Sequence, residues 1–121
     1  MVKFEVDNLD NGIKRIRLGG SLDIEGTEKI ELQMTTLTST EKTFIILDLS
    51  ELTLMASLGI GLIYRCLKAV RLRGGNIVIF NPQPGVSLVL ERTNAHKVIA
   101  IENDFQQARE KVKESSRSTP S

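Results

Sequence analysis

One continuous run, Phe44 to Gly75 (FIILDLSELTLMASLGIGLIYRCLKAVRLRGG), narrows the possible folds more than any other part of the chain. Phe44-Ile45-Ile46-Leu47 is apolar without alternation and partly β-branched. That pattern fits a central strand covered on both faces, not an edge strand. Asp48 is expected to close the strand, with Leu52 and Leu54 carrying the chain on to a turn at Met55-Ala56-Ser57-Leu58-Gly59-Ile60-Gly61. From Leu58 onwards Ile60, Ile63, Leu67 and Val70 repeat at helical spacing, and Leu62, Cys66 and Ala69 widen the stripe into that of a largely buried helix. Arg65, Lys68, Arg71 and Arg73 mark its wet side and complement the dipole towards its C-terminal end. Gly74-Gly75 is its stop signal.

The flanking segments fall into the same alternation. Val2, Phe4 and Val6 share one face of an N-terminal strand, and the turn residues Asp7 to Gly12 lead into a second strand over 13–18, which implies a hairpin. Gly19-Gly20 is expected to break that strand, and Ser21-Leu22-Asp23 to lead into a helix from about Glu25 to Leu37, with Ile30, Met34 and Leu37 inward. Ser39 to Glu41 reads as a polar link. Beyond the central run come a strand at 76–80, a short helix opened by Pro84, a last strand at 98–101, and a helix announced by Asp104 and Gln107 as a capping box. The order β-β-α-β-α-β-α-β-α implies one α/β domain over 1–114 with a mixed, mostly parallel sheet, followed by a disordered tail over 115–121.

Charge and composition exclude several function classes. Sixteen Lys+Arg against fifteen Asp+Glu give a net charge of +1, and aromatic residues are only 4%, so neither a basic surface nor a stacking platform for nucleic acid is expected. The N-terminus has no apolar signal-peptide core, and the run Leu52 to Tyr64 is well short of the ~20 residues a membrane span needs. A single cysteine cannot form an intramolecular disulfide, and a cytoplasmic location is expected. Cys66, inside a helical apolar pattern, reads as a small buried hydrophobe.

Candidate chemistry is sparse. Gly59-Ile60-Gly61 suggests a dinucleotide loop, but Tyr64 stands where the fingerprint needs glycine, and no phosphate-loop Gly-Lys-Ser/Thr occurs. These glycines read as allowing the helix to pack closely on the sheet. The only histidine, His96, reads as a solvated loop residue, and Asp48 as a capping or loop-bracing carboxylate. No metal or cofactor site is expected, no catalytic residue can be named, and nucleotide binding at the Ser57 helix start has only the dipole in its favour. On local grounds Ser57 is a helix-capping serine. Its functional reading is phosphorylation, because a phosphate there would meet free backbone N–H groups and the positive end of the helix dipole.

Taken together, LGGSLD (18–23), IILDLSELTLMASLGIGLI (45–63), RGGNIVIFNPQPGV (73–86) and VLERTNAHKVIAI (89–101) resemble a STAS domain. This is the fold of bacterial anti-sigma-factor antagonists and of the cytoplasmic part of sulfate transporters. The resemblance covers residues 2–113 and implies helices packed mainly on one side of the sheet. In the antagonist branch the turn reads Asp-Ser-Ser/Thr-Gly, and its first hydroxyl, which corresponds to Ser57, is phosphorylated by a partner kinase. Here Ala56 replaces the acid and Leu58 the second hydroxyl residue. The resemblance therefore implies a non-catalytic regulatory module without cofactor or nucleic-acid partner. It would dock on a kinase-type anti-sigma factor in a partner-switching circuit, through Asp23, Met55, Ala56, Ser57, Leu58, Gly59, Gly61 and Leu62. The alternative it implies is an accessory subunit of an ABC-type lipid transporter, or a transporter-derived regulatory domain.

Overall fold

The computed structural model describes residues 1–39 and 42–118, with side chains through Lys113. Residues 40 and 41, in the expected polar link, and 119–121, at the end of the expected tail, lie outside the described residues. Strand β1 (Val2–Asn8) pairs antiparallel with β2 (Ile13–Leu22), and helix α1 (Ile24–Ser39) leads to β3 (Phe44–Met55). Helix α2 (Ser57–Leu72), β4 (Asn76–Phe80), α3 (Pro84–Arg92), a 3-10 turn (Ala95–Lys97), β5 (Ile101–Glu102) and α4 (Phe105–Ser118) follow. The sheet order is β1-β2-β3-β4-β5, with every pair after the hairpin parallel. Both the alternation of elements and the mixed, mostly parallel sheet are those the sequence implies.

The sheet separates two cores. Ile45, Leu47 and Leu49 of β3 point into the larger one, with Ile16 and Leu18 of β2, Ile30 and Met34 of α1, and Ile60, Ile63, Leu67 and Val70 of α2. Phe44 and Ile46 point the other way and join Ile13 and Val78 under Ala108 and Val112 of α4. The continuous apolar run of β3 is thus explained by burial on both faces, at 0% exposure for Ile45, Ile46 and Leu47. Helix α4 is also tied to the hairpin turn. Arg109 pairs with Asp10, holding its carboxyl below the usual range, and Lys113 donates to the Asn11 carbonyl while lying over the Phe44 ring.

Three expected boundaries move. Gly19-Gly20 does not break β2, which continues to Leu22 through two register shifts against β3. Gly20 takes a φ of +80° and sits against the Met1 carbonyl, which accepts from the Ser21 N–H at 3.0 Å. A side chain at Gly20 would overlap that carbonyl, so here glycine preserves the pairing of β1 with β2. Asp48 does not close β3, which runs on to Met55. Its carboxylate is fully buried on the α4 side, where Oδ2 accepts from Arg15 Nη2 at 2.6 Å and Nε at 3.0 Å, and from Arg17 Nε at 3.4 Å. The arginines reach it from β2, two and four residues after Ile13, so a mid-strand charge is supported by the neighbouring strand. The last strand is also shorter than expected: the 3-10 turn occupies 95–97 and only Ile101–Glu102 pair with β4. Helix α4 opens directly after Asp104 as expected and extends to Ser118, into the stretch read as a tail.

Candidate functional site

Because β2 and β3 are parallel, their C-terminal ends emerge together. Leu22 lies opposite Met55, and the Ala56 N–H donates to the Leu22 carbonyl at 2.9 Å. The Asp23 loop and the Ala56-Ser57 turn are thereby set side by side, and α1 and α2 start from them. Asp23 Oδ1 accepts from the Gly26 N–H at 2.7 Å, which caps α1. A Cβ on Gly59 would lie 2.7 Å from Leu22 Cδ2, so this glycine lets the first turn of α2 rest on the end of β2. Gly61 differs from the expected packing role: nothing approaches within 4 Å of where its Cβ would be.

Ser57 is the first residue of α2 and not its cap. The cap position falls to Ala56, in extended backbone (φ −95°, ψ 166°), with no side-chain cap bond. The chain enters the helix one residue earlier than the serine suggests, and the Ala56 side chain offers no oxygen, although its carbonyl accepts from the Gly59 N–H at 3.0 Å and the Ile60 N–H at 3.3 Å. The N–H groups of Ser57 and Leu58 remain available at the end of the helix where the Ser57 hydroxyl is exposed. The first turn of α2 carries no acidic residue that would repel an anion.

The other expected site residues divide by depth. Leu58 is 42% exposed beside Ser57, while Asp23, Ala56 and Gly61 are half-buried. Met55, Gly59 and Leu62 are buried and support this surface from beneath. Sequence reasoning missed two neighbours, Ile24 (63% exposed) and Leu54 (47% exposed), which add apolar area at the same end of the sheet. Their signal was present in the sequence: each is a large apolar residue that the inward positions on either side, Leu22 and Ile30 for one, Leu52 and Met55 for the other, leave unused.

Elsewhere the chemistry is structural. Among the described residues no group of three or more His, Cys, Asp or Glu is placed to hold a metal ion. His96 is exposed in the 3-10 turn, its Nδ1 3.4 Å from the Leu90 carbonyl oxygen. Burial pushes the Cys66 thiol up, away from the reactive thiolate. Among the described residues no helix is long and apolar enough to cross a membrane.

A mixed five-stranded sheet with the helix after its central strand starting beside the Asp23 loop is the architecture that the resemblance to a STAS domain implies. The chain belongs to the STAS domain family, whose model matches residues 7–108. Among individual proteins it is similar to an anti-sigma F factor antagonist of Paenibacillus polymyxa, 28% identical over 91 residues that span 74% of this chain and 78% of that protein. Among solved structures, an anti-sigma factor antagonist from Mycobacterium paratuberculosis superposes with a TM-score of 0.83 at 14% identity, covering 94% of this chain and 96% of that one. The Bacillus cell fate determinant SpoIIAA in its phosphorylated form has a TM-score of 0.65 at 22% identity, covering 91% and 99%.

Proposed function

We propose that this chain is a non-catalytic anti-sigma-factor antagonist that docks on a kinase-type anti-sigma factor and is released from it by phosphorylation of Ser57. The observation that carries this reading is the exposed Ser57 hydroxyl at the N-terminus of α2, next to exposed Leu58 and at the end of the sheet where Leu54 and Ile24 are also exposed. Apolar area of this kind favours docking. A phosphate would be tolerated locally by the free N–H groups of α2, yet would bring nearly two negative charges into a surface that must lose water when a partner covers it. The role borne by the Paenibacillus polymyxa relative supports the same reading. Ala56 and Leu58 make the surface around the acceptor more apolar than the motif of the antagonist branch, which strengthens docking relative to phosphoryl transfer.

The test is incubation with the anti-sigma factor kinase of the same organism and ATP, with the phosphate mapped by mass spectrometry and binding followed by calorimetry. Modification of Ser57 is expected, with Ser57→Ala still binding and Ser57→Asp weakened at least tenfold, about 1.4 kcal/mol. Tight binding with no phosphate on Ser57 would remove the switch and leave docking alone. Recovery of the chain with an ABC-type ATPase instead of the anti-sigma factor would overturn the reading.

A further inference from the structure

Along one flank of α2, facing the Val98 segment, runs an open groove of about 690 Å³ lined by Gly61, Tyr64, Arg65, Leu67, Lys68, Arg71 and Val98. These α2 positions follow one another at three- and four-residue steps, so the groove extends ~15 Å along the helix. The Val98 segment forms its far wall and is held there by Arg71, whose Nη2 donates to the Val98 carbonyl at 3.1 Å. Leu72, 86% exposed, continues the apolar surface past Arg71.

Two independent features single this groove out. The first is charge. Between Glu51 and Glu91 the sequence contains no acidic residue, although the chain as a whole is almost neutral. The cations of that stretch include all three of the groove. Arg65 is met by Glu31 of α1 at 3.2 Å, but among the described residues no carboxylate lies within 4.0 Å of Lys68 or Arg71. Arg71 is also partly desolvated, its charge opposed by burial and met only by the Asn76 and Val98 oxygens. The second is Gly61. A glycine inside a helix costs about 1 kcal/mol relative to alanine, and nothing in this chain comes close enough to require it. The missing side chain leaves the mouth of the groove open to backbone from outside.

We infer that the groove binds an acidic amphipathic helix of a partner protein, with its apolar side chains laid against Tyr64 and Val98 and its carboxylates on Lys68 and Arg71. Helix-in-groove recognition needs an elongated apolar trough of two to three turns with charges at the rim, and this trough supplies both. An anionic membrane fits less well, because Tyr64 and Val98 line a concavity and only Leu72 protrudes. The groove shares Gly61 with the Ser57 docking end, but its cations, Lys68 and Arg71, lie about two to four turns further along α2.

The test uses the full chain, isotopically labelled, titrated with a designed acetylated and amidated helical peptide carrying Leu at three- and four-residue spacing and Glu elsewhere. Saturable amide shifts are expected at Gly61, Tyr64, Lys68 and Val98, and binding should weaken at least tenfold in Lys68→Glu and in Gly61→Leu. Both substitutions are at positions with space or solvent around them, so an unchanged thermal midpoint serves as the folding control. The peptide with Lys in place of Glu should bind at least tenfold more weakly than the acidic one. Shifts confined to the Ser57 end, equal binding of the two peptides, or no binding would each overturn the inference. So would phosphatidylglycerol vesicles producing the same shifts while the acidic peptide is silent. Ser57→Asp, about a turn from Gly61 but remote from Lys68, should change peptide affinity far less than Lys68→Glu does, so failure of the groove and failure of the switch are read separately.

Discussion

Asp48 carries the heaviest single burden in the chain. A carboxylate with no solvent exposure is stable in the middle of a strand only because its partners satisfy it. Burial alone would raise its pKa, but the Ser50 N–H and hydroxyl and the Arg15 guanidinium outweigh burial and hold it below the usual 3.8. The Ser50 N–H bond to Oδ1 measures 2.9 Å, and the arginines take Oδ2. Since the folded pKa is depressed, the unfolded chain takes up the proton first as pH falls. The stability that Asp48 contributes is therefore complete above the unfolded value and is lost as the pH drops through it and towards the folded one. Asp48→Asn is expected to cost about 2–4 kcal/mol at pH 7, because Arg15 and Arg17 would then face a neutral amide. Urea titrations between pH 3 and 7 check both parts: the loss at pH 7, and a shallower fall of stability with acid in the variant than in the parent. An unchanged acid slope would show that the carboxylate is not the titrating group. The sequence alone could not show this role, since an Asp after four apolar residues looks like a strand terminator. The arginines that rescue it lie over thirty residues away in the chain.

Elements were more legible than their ends. Periodicity identifies α1, α2 and α3 because each buries one regular set of side chains, whereas β4 is legible as an apolar run covered on both faces. It missed the true lengths of β2 and β3, because Gly19-Gly20 and Asp48 look like local stops and are bridged by pairing with other strands. The start of α2 was misjudged by one residue for the opposite reason: the hydroxyl of Ser57 is an intrinsic capping signal, and the chain leaves the cap to Ala56. Helix α4 shows how an element with an ordinary amphipathic sequence can be indispensable. Its Ala108, Val112 and Phe105 pack on Ile13, Phe44, Ile46 and Val78 on the back of the sheet, which are 0–8% exposed with it in place. At about 1.5–3 kcal/mol for each side chain, uncovering them costs of order 10 kcal/mol, as large as the entire stability of a typical domain of this size. A chain ending at Asn103 is therefore expected to bind the dye ANS strongly and to lose its cooperative thermal transition. Retention of a sharp transition near that of the full chain would show that the front core folds by itself. The candidate site follows the same logic. Its residues were legible from the motif, but the adjacency of Asp23 and Ser57 depends on the parallel register of Leu22 with Met55, and the groove beside α2 depends on where Val98 returns.

The two cores share one sheet, and β3 contributes alternate residues to both. A perturbation on the α4 side should for that reason be felt on the other side as a loss of global stability, without any local contact. Cys66 offers a direct reading of this coupling. It is 1% exposed within the front core, burial raises its thiol pKa and disfavours the thiolate, and it is the only cysteine in the chain. A thiol so placed reacts with a disulfide reagent only when the structure around it opens. If opening is global, labelling of Cys66 under native conditions follows the unfolding equilibrium, and Asp48→Asn should accelerate it about a hundredfold for a loss near 3 kcal/mol. Asp48 and Cys66 lie on opposite faces of the sheet, so no local loosening around one exposes the other. Labelling rates for parent and variant at one pH and reagent concentration, compared with their urea stabilities, measure the coupling. Rates that shift in step with stability would establish a single cooperative unit in which the network behind the sheet holds the front core closed. A labelling rate indifferent to Asp48→Asn would mean that α1 and α2 open from the sheet on their own, and that the surface around Ser57 and the groove along α2 can move while the sheet stays intact.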